Sequence, residues 1–147
     1  DEDYDRLSQY TWRLSGASKT IVSRQQKRYG WNKSTSLACE IMQKPSLMFD
    51  HIDRNFLNNQ KENLRSCNTA QNAMNKTKTK NTSSVYKGVS RDRQYRKWRA
   101  MIRTEGKLKN LGGFETEINA GIAYNCAAHK FFGEFAVFNP LPFVATL

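Results

Sequence analysis

Apolar positions along the chain change their spacing from segment to segment, and each spacing predicts an element. The polar, acidic opening DEDYDRLSQY gives way to an apolar-centred YTWRL, then to a basic, loop-like SRQQKRYGWNKSTS. LACEIMQK reads as a short helix. SLMF predicts a short strand that ends on Asp50 and His51; a long polar loop follows, and NLRSC predicts a second short strand. A helix is expected from Asn68, which Asn68 or Thr69 can cap. Residues 77–84 are lysine, threonine, asparagine and serine, so 77–85 reads as a linker. From Tyr86 onward, YKGVSRD, KWRAMIRTEG and KLKNLGGF predict three strands separated by turn residues. Between Glu115 and Phe132 the apolar spacing becomes three and four (Ile118, Ile122, Ala123, Cys126, Ala127), predicting a helix laid on that sheet. Alternation in WRAMIR puts Trp98, Ala100 and Ile102 on one side, Arg99, Met101 and Arg103 on the other. Trp98 is then expected in the core and Arg103 on the exposed face. Gly88, Gly112 and Gly113 read as turn positions.

The length of 147 residues suits one domain or two small ones, and 38% hydrophobic residues are enough for a packed core. No run approaches the ~18 apolar residues a spanning helix needs, and the acidic start is unlike a signal peptide. A soluble cytoplasmic protein is expected, in the host cytoplasm if the gene is carried by a phage. Charge sharpens this picture. There are 24 Lys and Arg against 13 Asp and Glu, a net charge of +11 that suits a polyanion, either nucleic acid or an anionic membrane surface. Half of the basic residues lie between Lys76 and Lys109, opposed there only by Asp92 and Glu105. KTKTKNTSS alone reads as a solvated run. Beyond Tyr86 the basic residues interleave with Tyr86, Tyr95 and Trp98, a mixture suited to a sheet that reads DNA. Cys39, Cys67 and Cys126 form no C-x-x-C pair and read as small buried thiols. His129 has no matching partner in its helix and reads as structural.

The stretch LMFDHIDRNFLNNQKENLRSCNTAQNAMNK carries the most specific pattern. Asp50 and His51 are followed by Asn63 at 12 residues and Asn72 at 21 residues beyond the histidine. Separately, these residues read as a loop histidine, a turn and a cap. Together, over roughly 30 residues, they resemble the HNH, or ββα-metal, nucleases, in particular phage and intron homing endonucleases with asparagine at the third motif position. Phosphodiester hydrolysis needs an activated water, stabilisation of charge on phosphorus and help for the leaving oxygen. The resemblance implies His51 as general base. It implies Asp50 and the Asn72 side-chain carbonyl as ligands of a divalent metal, magnesium foremost with manganese as the alternative. It implies that Asn63, counted with His51 in the catalytic pair, ties the loop and fixes the backbone that aims His51. Strict strand alternation would send Asp50 and His51 to opposite faces, so the chain must leave the strand there; the Asp53-Arg54-Asn55 turn supplies the means. Relatives often carry Leu-His-Arg before the preceding helix, where this chain has Leu37-Ala38-Cys39.

Residues 86–139 resemble the APETALA2-type DNA-binding domain, through YKGV, the KW…IR strand, the LG-F turn, the A-x-AYN-x-AA helix and the closing G-x-x-A-x-x-N. In that family a three-stranded antiparallel sheet lies in the major groove. By position, the resemblance implies Lys87, Arg91, Arg93, Tyr95, Lys97 and Arg103 as DNA contacts, with Lys107 and Lys109 more weakly placed. Leu108 and Asn110 stand where the plant-type domain has a basic residue and a tryptophan, so base preference does not carry over.

The expected fold is α+β: an N-terminal ββα-metal nuclease module over 1–76 (motif 46–76), a linker over 77–85, a three-stranded antiparallel sheet packed on one helix over 86–139, and a tail over 140–147. Residues 1–45 are expected to pack around the motif, because so small a piece buries little core alone. The expected function is a metal-dependent, nicking, homing-type DNA endonuclease, monomeric, with duplex DNA as partner and neither membrane nor protein partner. The alternative is a non-catalytic, sequence-specific DNA-binding regulator with a vestigial nuclease module. A restriction or packaging nuclease would share the chemistry and differ in context.

Overall fold

The computed structural model describes residues 3–15, 20–25, 33–44, 46–78 and 82–142. Residues 26–32 of the basic stretch, 79–81 of the expected linker and 143–147 of the expected tail lie outside the described residues. The chain divides into two compact units, Asp1–Asn72 and Ala73–Leu147. The division falls inside a helix, where the sequence reading set it after Lys76. No helix among the described residues is long and apolar enough to cross a membrane.

The first unit opens with a short helix, α1 (Tyr4–Ser8), and a three-stranded antiparallel sheet, β1 (Trp12–Leu14), β2 (Ile21–Gln25) and β3 (Lys33–Ser36), in the order β1-β2-β3. This sheet corrects the loop-like reading of residues 23–36 and leaves the α+β class standing. The stretch read as a loop contributes strand residues at both ends, with Ser23 opposite Thr35 and Val22 opposite Ser36. Ladder pairing outweighs the weak strand propensity of Ser, Lys and Gln, since propensity in sheets is largely set by neighbours. Helix α2 (Leu37–Ile41) starts at Ser36, whose hydroxyl accepts the Cys39 N–H at 3.2 Å, and packs against β2, β3 and the next strand. Strands β4 (Met48–His51) and β5 (Leu64–Cys67) then pair antiparallel, followed by α3 (Thr69–Met74). Asn68 and Gln71 cap α3 reciprocally: the Asn68 side chain accepts the Gln71 N–H at 2.9 Å, and the Gln71 side chain accepts the Asn68 N–H at 2.8 Å.

The second unit is an antiparallel sheet, β6 (Val89–Asp92), β7 (Lys97–Thr104) and β8 (Lys107–Phe114), covered on one face by α4 (Glu117–Phe132). Thr116 caps α4 by accepting the Asn119 N–H at 3.1 Å. The core lies between sheet and helix: Ala100 and Ile102 of β7 face Ala120, Tyr124, Ala127 and Ala128, with Tyr86, Val89 and Phe132. Alanines on the buried face let the helix approach the sheet closely. Burial pushes the Tyr124 phenol up to about 12. Asn125 and Asn139 close the unit through paired bonds, 2.8 Å from the Asn139 N–H and 3.1 Å to the Asn139 carbonyl. The segment read as a linker ends bound to this unit: Ser84 is buried, and its hydroxyl and the Val85 N–H both donate to Glu117 at 2.7 Å.

Candidate functional site

The β4–β5 ladder sets the site. Its register places Asp50 opposite Arg65 and His51 opposite Leu64. Asp50 and His51 are both buried, at 4% and 5% exposure, although adjacent strand residues ordinarily point to opposite faces. The chain turns immediately after His51: the Arg54 N–H donates to the His51 carbonyl at 2.9 Å, and Arg54 takes the left-handed backbone conformation (φ 64°). Asp50 and His51 thereby line a single cleft of about 440 Å³, together with Asn72 of α3, Phe56 and Asn59 of the following loop, and Cys39 of α2.

Asn63 is the hub of that loop. Its side-chain oxygen accepts the Asp53 N–H at 3.0 Å, and its amide donates to the Asp53 carboxylate at 2.9 Å and to the Asn58 carbonyl at 2.7 Å. Asn63 is buried and holds the loop from within, outside the lining of the cleft. Asp53 in turn accepts the Asn55 N–H and the Asn58 amide, both at 2.8 Å. The Asn58 bond, followed by that from Asn55, holds the Asp53 carboxyl below its ordinary pKa range.

Two contacts orient His51. Phe56 meets the imidazole edge-on, with centroids 5.6 Å apart. Nε2 lies 3.1 Å from the Asn59 side-chain oxygen, while the Asn59 amide donates to the carbonyls of Phe56 and Leu57 at 3.4 and 3.3 Å. An amide oxygen only accepts, so Nε2 is the donor and the neutral ring carries its lone pair on Nδ1. Sequence reasoning missed Asn59. The only signal was an oxygen-bearing residue at the end of the loop, which local pattern does not distinguish from Asn58.

Arg65 was also missed. Its Nε and Nη2 donate to Asp50 Oδ2 at 3.0 and 2.9 Å, within a pair whose side chains are only 11% and 4% exposed. The Asn72 amide donates to Met48 sulfur at 3.7 Å, which turns its oxygen the other way. Among the described residues no three His, Cys, Asp or Glu side chains group as a metal site. Of the side chains on the cleft wall, Asp50 offers a carboxylate and Asn72 an amide oxygen. Hard oxygens in that number fit a magnesium-type ion, which keeps several waters and uses few protein ligands.

The structure separates the eight basic and aromatic residues singled out in the second unit. Lys97 and Arg103 lie on the sheet face away from α4, alternating with the buried Ala100 and Ile102. Lys97 pairs with Glu115 at 3.1 Å, and Arg103 donates to the Gly106 carbonyl at 3.0 Å. Arg93 and Tyr95 stand exposed in the turn between β6 and β7. Arg91, Lys107 and Lys109 belong to the helix side. Arg91 pairs with Trp98 and lies over its ring at 5.1 Å. Lys107 is opposite the buried Thr104, and Lys109 is opposite Ile102, with its ammonium 4.5 Å from the Phe131 ring of α4. Lys87 is turned to the carbonyls of Met74, at 2.6 Å, and Lys76. Arg99 lies on the outer face and is ion-paired with Asp92.

No protein-family model matches the chain. The chain is 38% identical over 94 residues to a protein of Acanthamoeba polyphaga mimivirus named as an uncharacterized HNH endonuclease, covering 64% of this chain and 48% of that protein. It is also 38% identical over 62 residues to Protein 3.8 of Escherichia phage T7, covering 42% of this chain and 51% of that protein. The chain thus spans about half the length of the curated relatives it matches.

Proposed function

We propose that this chain is an HNH-type endonuclease of viral kind that hydrolyses phosphodiester bonds in duplex DNA with the help of a divalent metal ion. The observation that carries this reading is the convergence of Asp50, His51 and Asn72 on one cleft, with Asn63 bracing the loop beside it. The name of the mimivirus relative supports the same reading. His51 takes the proton of the attacking water at Nδ1, the nitrogen left basic by the Asn59 contact. Asp50 and the Asn72 oxygen hold the ion. Bound there, a magnesium or manganese ion supplies Lewis-acid stabilisation of the phosphate oxygens and the leaving oxygen. Asn63 positions the loop and touches no reacting atom. A single such site cuts one strand per visit, which favours nicking.

The outer face of β6–β8 is proposed as the DNA grip, in the manner of an APETALA2-type sheet. Its support is the alternation that leaves Lys97, Arg99 and Arg103 on the face away from α4. Arg91, Lys107 and Lys109 are not part of this grip.

Supercoiled plasmid incubated with the protein tests the reading. Nicked circles should accumulate in magnesium and cease in EDTA. His51→Ala should slow cutting by about 10²–10⁴-fold while a gel-shift on duplex DNA stays near wild type. Cutting undiminished in EDTA, or wild-type turnover in His51→Ala, would refute it.

A further inference from the structure

Arg65 has no role in the chemistry above, yet its guanidinium binds the carboxylate on which that chemistry depends. The pair is built into the ladder: Asp50 and Arg65 are directly opposite in the β4–β5 register, so both side chains rise from one position of the sheet. Two N–H groups of the guanidinium converge on Asp50 Oδ2 at 3.0 and 2.9 Å, in surroundings that leave the side chains 11% and 4% exposed. A guanidinium stays protonated at any pH of interest, and charges act on one another more strongly where water is excluded.

We propose that Arg65 is a resident counter-cation of Asp50, keeping the cleft a weak site for divalent metal until a DNA phosphate arrives. The proposal rests on the nuclease reading and adds to it a regulation of the same site. Asp50 is the only carboxylate among the proposed ligands, and Arg65 already balances its charge. A doubly charged ion entering the cleft alone meets a pair of net charge near zero and is repelled by the guanidinium at close range. A bound phosphodiester brings the missing negative charge, so metal and DNA each raise the other's affinity. Such coupling is reciprocal, with typical factors of about 5–150. Removing the charge of Arg65 should therefore strengthen metal binding in the absence of DNA. Backbone pairing of β4 with β5 still holds Asp50 in place, so charge rather than position decides the sign.

The test is a manganese titration of the full chain, followed by the electron paramagnetic resonance of free Mn²⁺, with and without a short duplex. His51→Ala serves as the background, so that the duplex survives. The expected result is weak binding alone and binding tightened by about 10-fold or more with duplex. Arg65→Met should raise the duplex-free affinity by about 10–100-fold, the scale on which outer-shell groups act on metals, and should shrink the effect of the duplex. Arg65→Lys, which keeps the charge but loses the fork, should retain the weak site. Equal manganese affinity with and without duplex would overturn the proposal even if Arg65→Met fails to fold. So would a folded Arg65→Met of unchanged or weaker affinity. In both cases continued magnesium-dependent cutting by the wild type would leave the nuclease reading standing. No manganese binding in either state would remove both.

Discussion

Replacing Asn63 by alanine removes three hydrogen bonds at once while taking nothing from the wall of the cleft. Two of them join neutral groups, to the Asp53 N–H at 3.0 Å and the Asn58 carbonyl at 2.7 Å. The third, at 2.9 Å, ends on the Asp53 carboxylate. The two neutral bonds contribute about 0.5–1.5 kcal/mol each, and a partner left buried without its bond adds about 1–3 kcal/mol. Asp53 is exposed, so water replaces part of what is lost, and a net cost of about 2–4 kcal/mol follows. The loss should be local. The Ile52 N–H, which donates to the Asn63 carbonyl at 2.9 Å, and the Asp53 N–H should exchange with solvent deuterium faster by about 30- to 700-fold, at 1.4 kcal/mol per decade. Amides of β6–β8 should keep their protection. The loop carrying Phe56 and Asn59 would no longer hold the His51 ring, and plasmid nicking should fall on the order of 10²-fold, the cost of a reacting group displaced by about 1 Å. Hydrogen-exchange mass spectrometry of peptides spanning 48–67 reads the first effect. Protection within about threefold of wild type there would refute the reasoning, whatever happened to activity.

Gly88→Ala tests the second unit. Gly88 has φ +74°, and an added Cβ would lie 2.1 Å from the Tyr124 ring and 2.6 Å from the Met101 carbonyl oxygen. Left-handed backbone at about 1–2 kcal/mol and overpacking at about 1–3 kcal/mol predict a loss of about 2–5 kcal/mol in denaturant unfolding followed by Trp98 fluorescence in a Trp12→Phe, Trp31→Phe background, and a loss under 0.5 kcal/mol would refute the clash. Charge placement on the sheet makes a separate prediction. Lys97→Ala and Arg103→Ala should each lower the slope of log K against log salt for duplex binding by up to ~0.9, whereas Arg91→Ala and Lys109→Ala should change it little. Equal reductions for all four would refute the assignment of the outer face.

Local pattern made much of this protein legible. Alternation in KWRAMIRT separates the buried Ala100 and Ile102 from Arg99 and Arg103, because successive side chains in a strand point to opposite faces. The three-and-four spacing after Thr116 marks α4, and Asn68 with Gln71 marks the start of α3, since both signals lie within a turn or two of the residues they describe. Spacing from His51 to Asn72 singled out Asp50, His51 and Asn72, which share one cleft wall, and Asn63, which lies behind it. What tertiary structure alone decided is which distant residues meet. Arg65 faces Asp50 only through the β4–β5 register, and Asn59 reaches His51 only once Asn63 has folded the loop back. The irregularity in β7–β8 pairing between Ala100 and Met101 resets which residues of β8 face α4. That is why Lys109, basic and suitably placed by position, lies against Phe131 instead of on the outer face. A residue's type and its neighbours in sequence specify the element and its two faces. Register, bulges and loop closure depend on partners outside the local pattern, such as Arg65, 15 residues from Asp50, and those partners choose which charge is balanced and which remains to meet a phosphate.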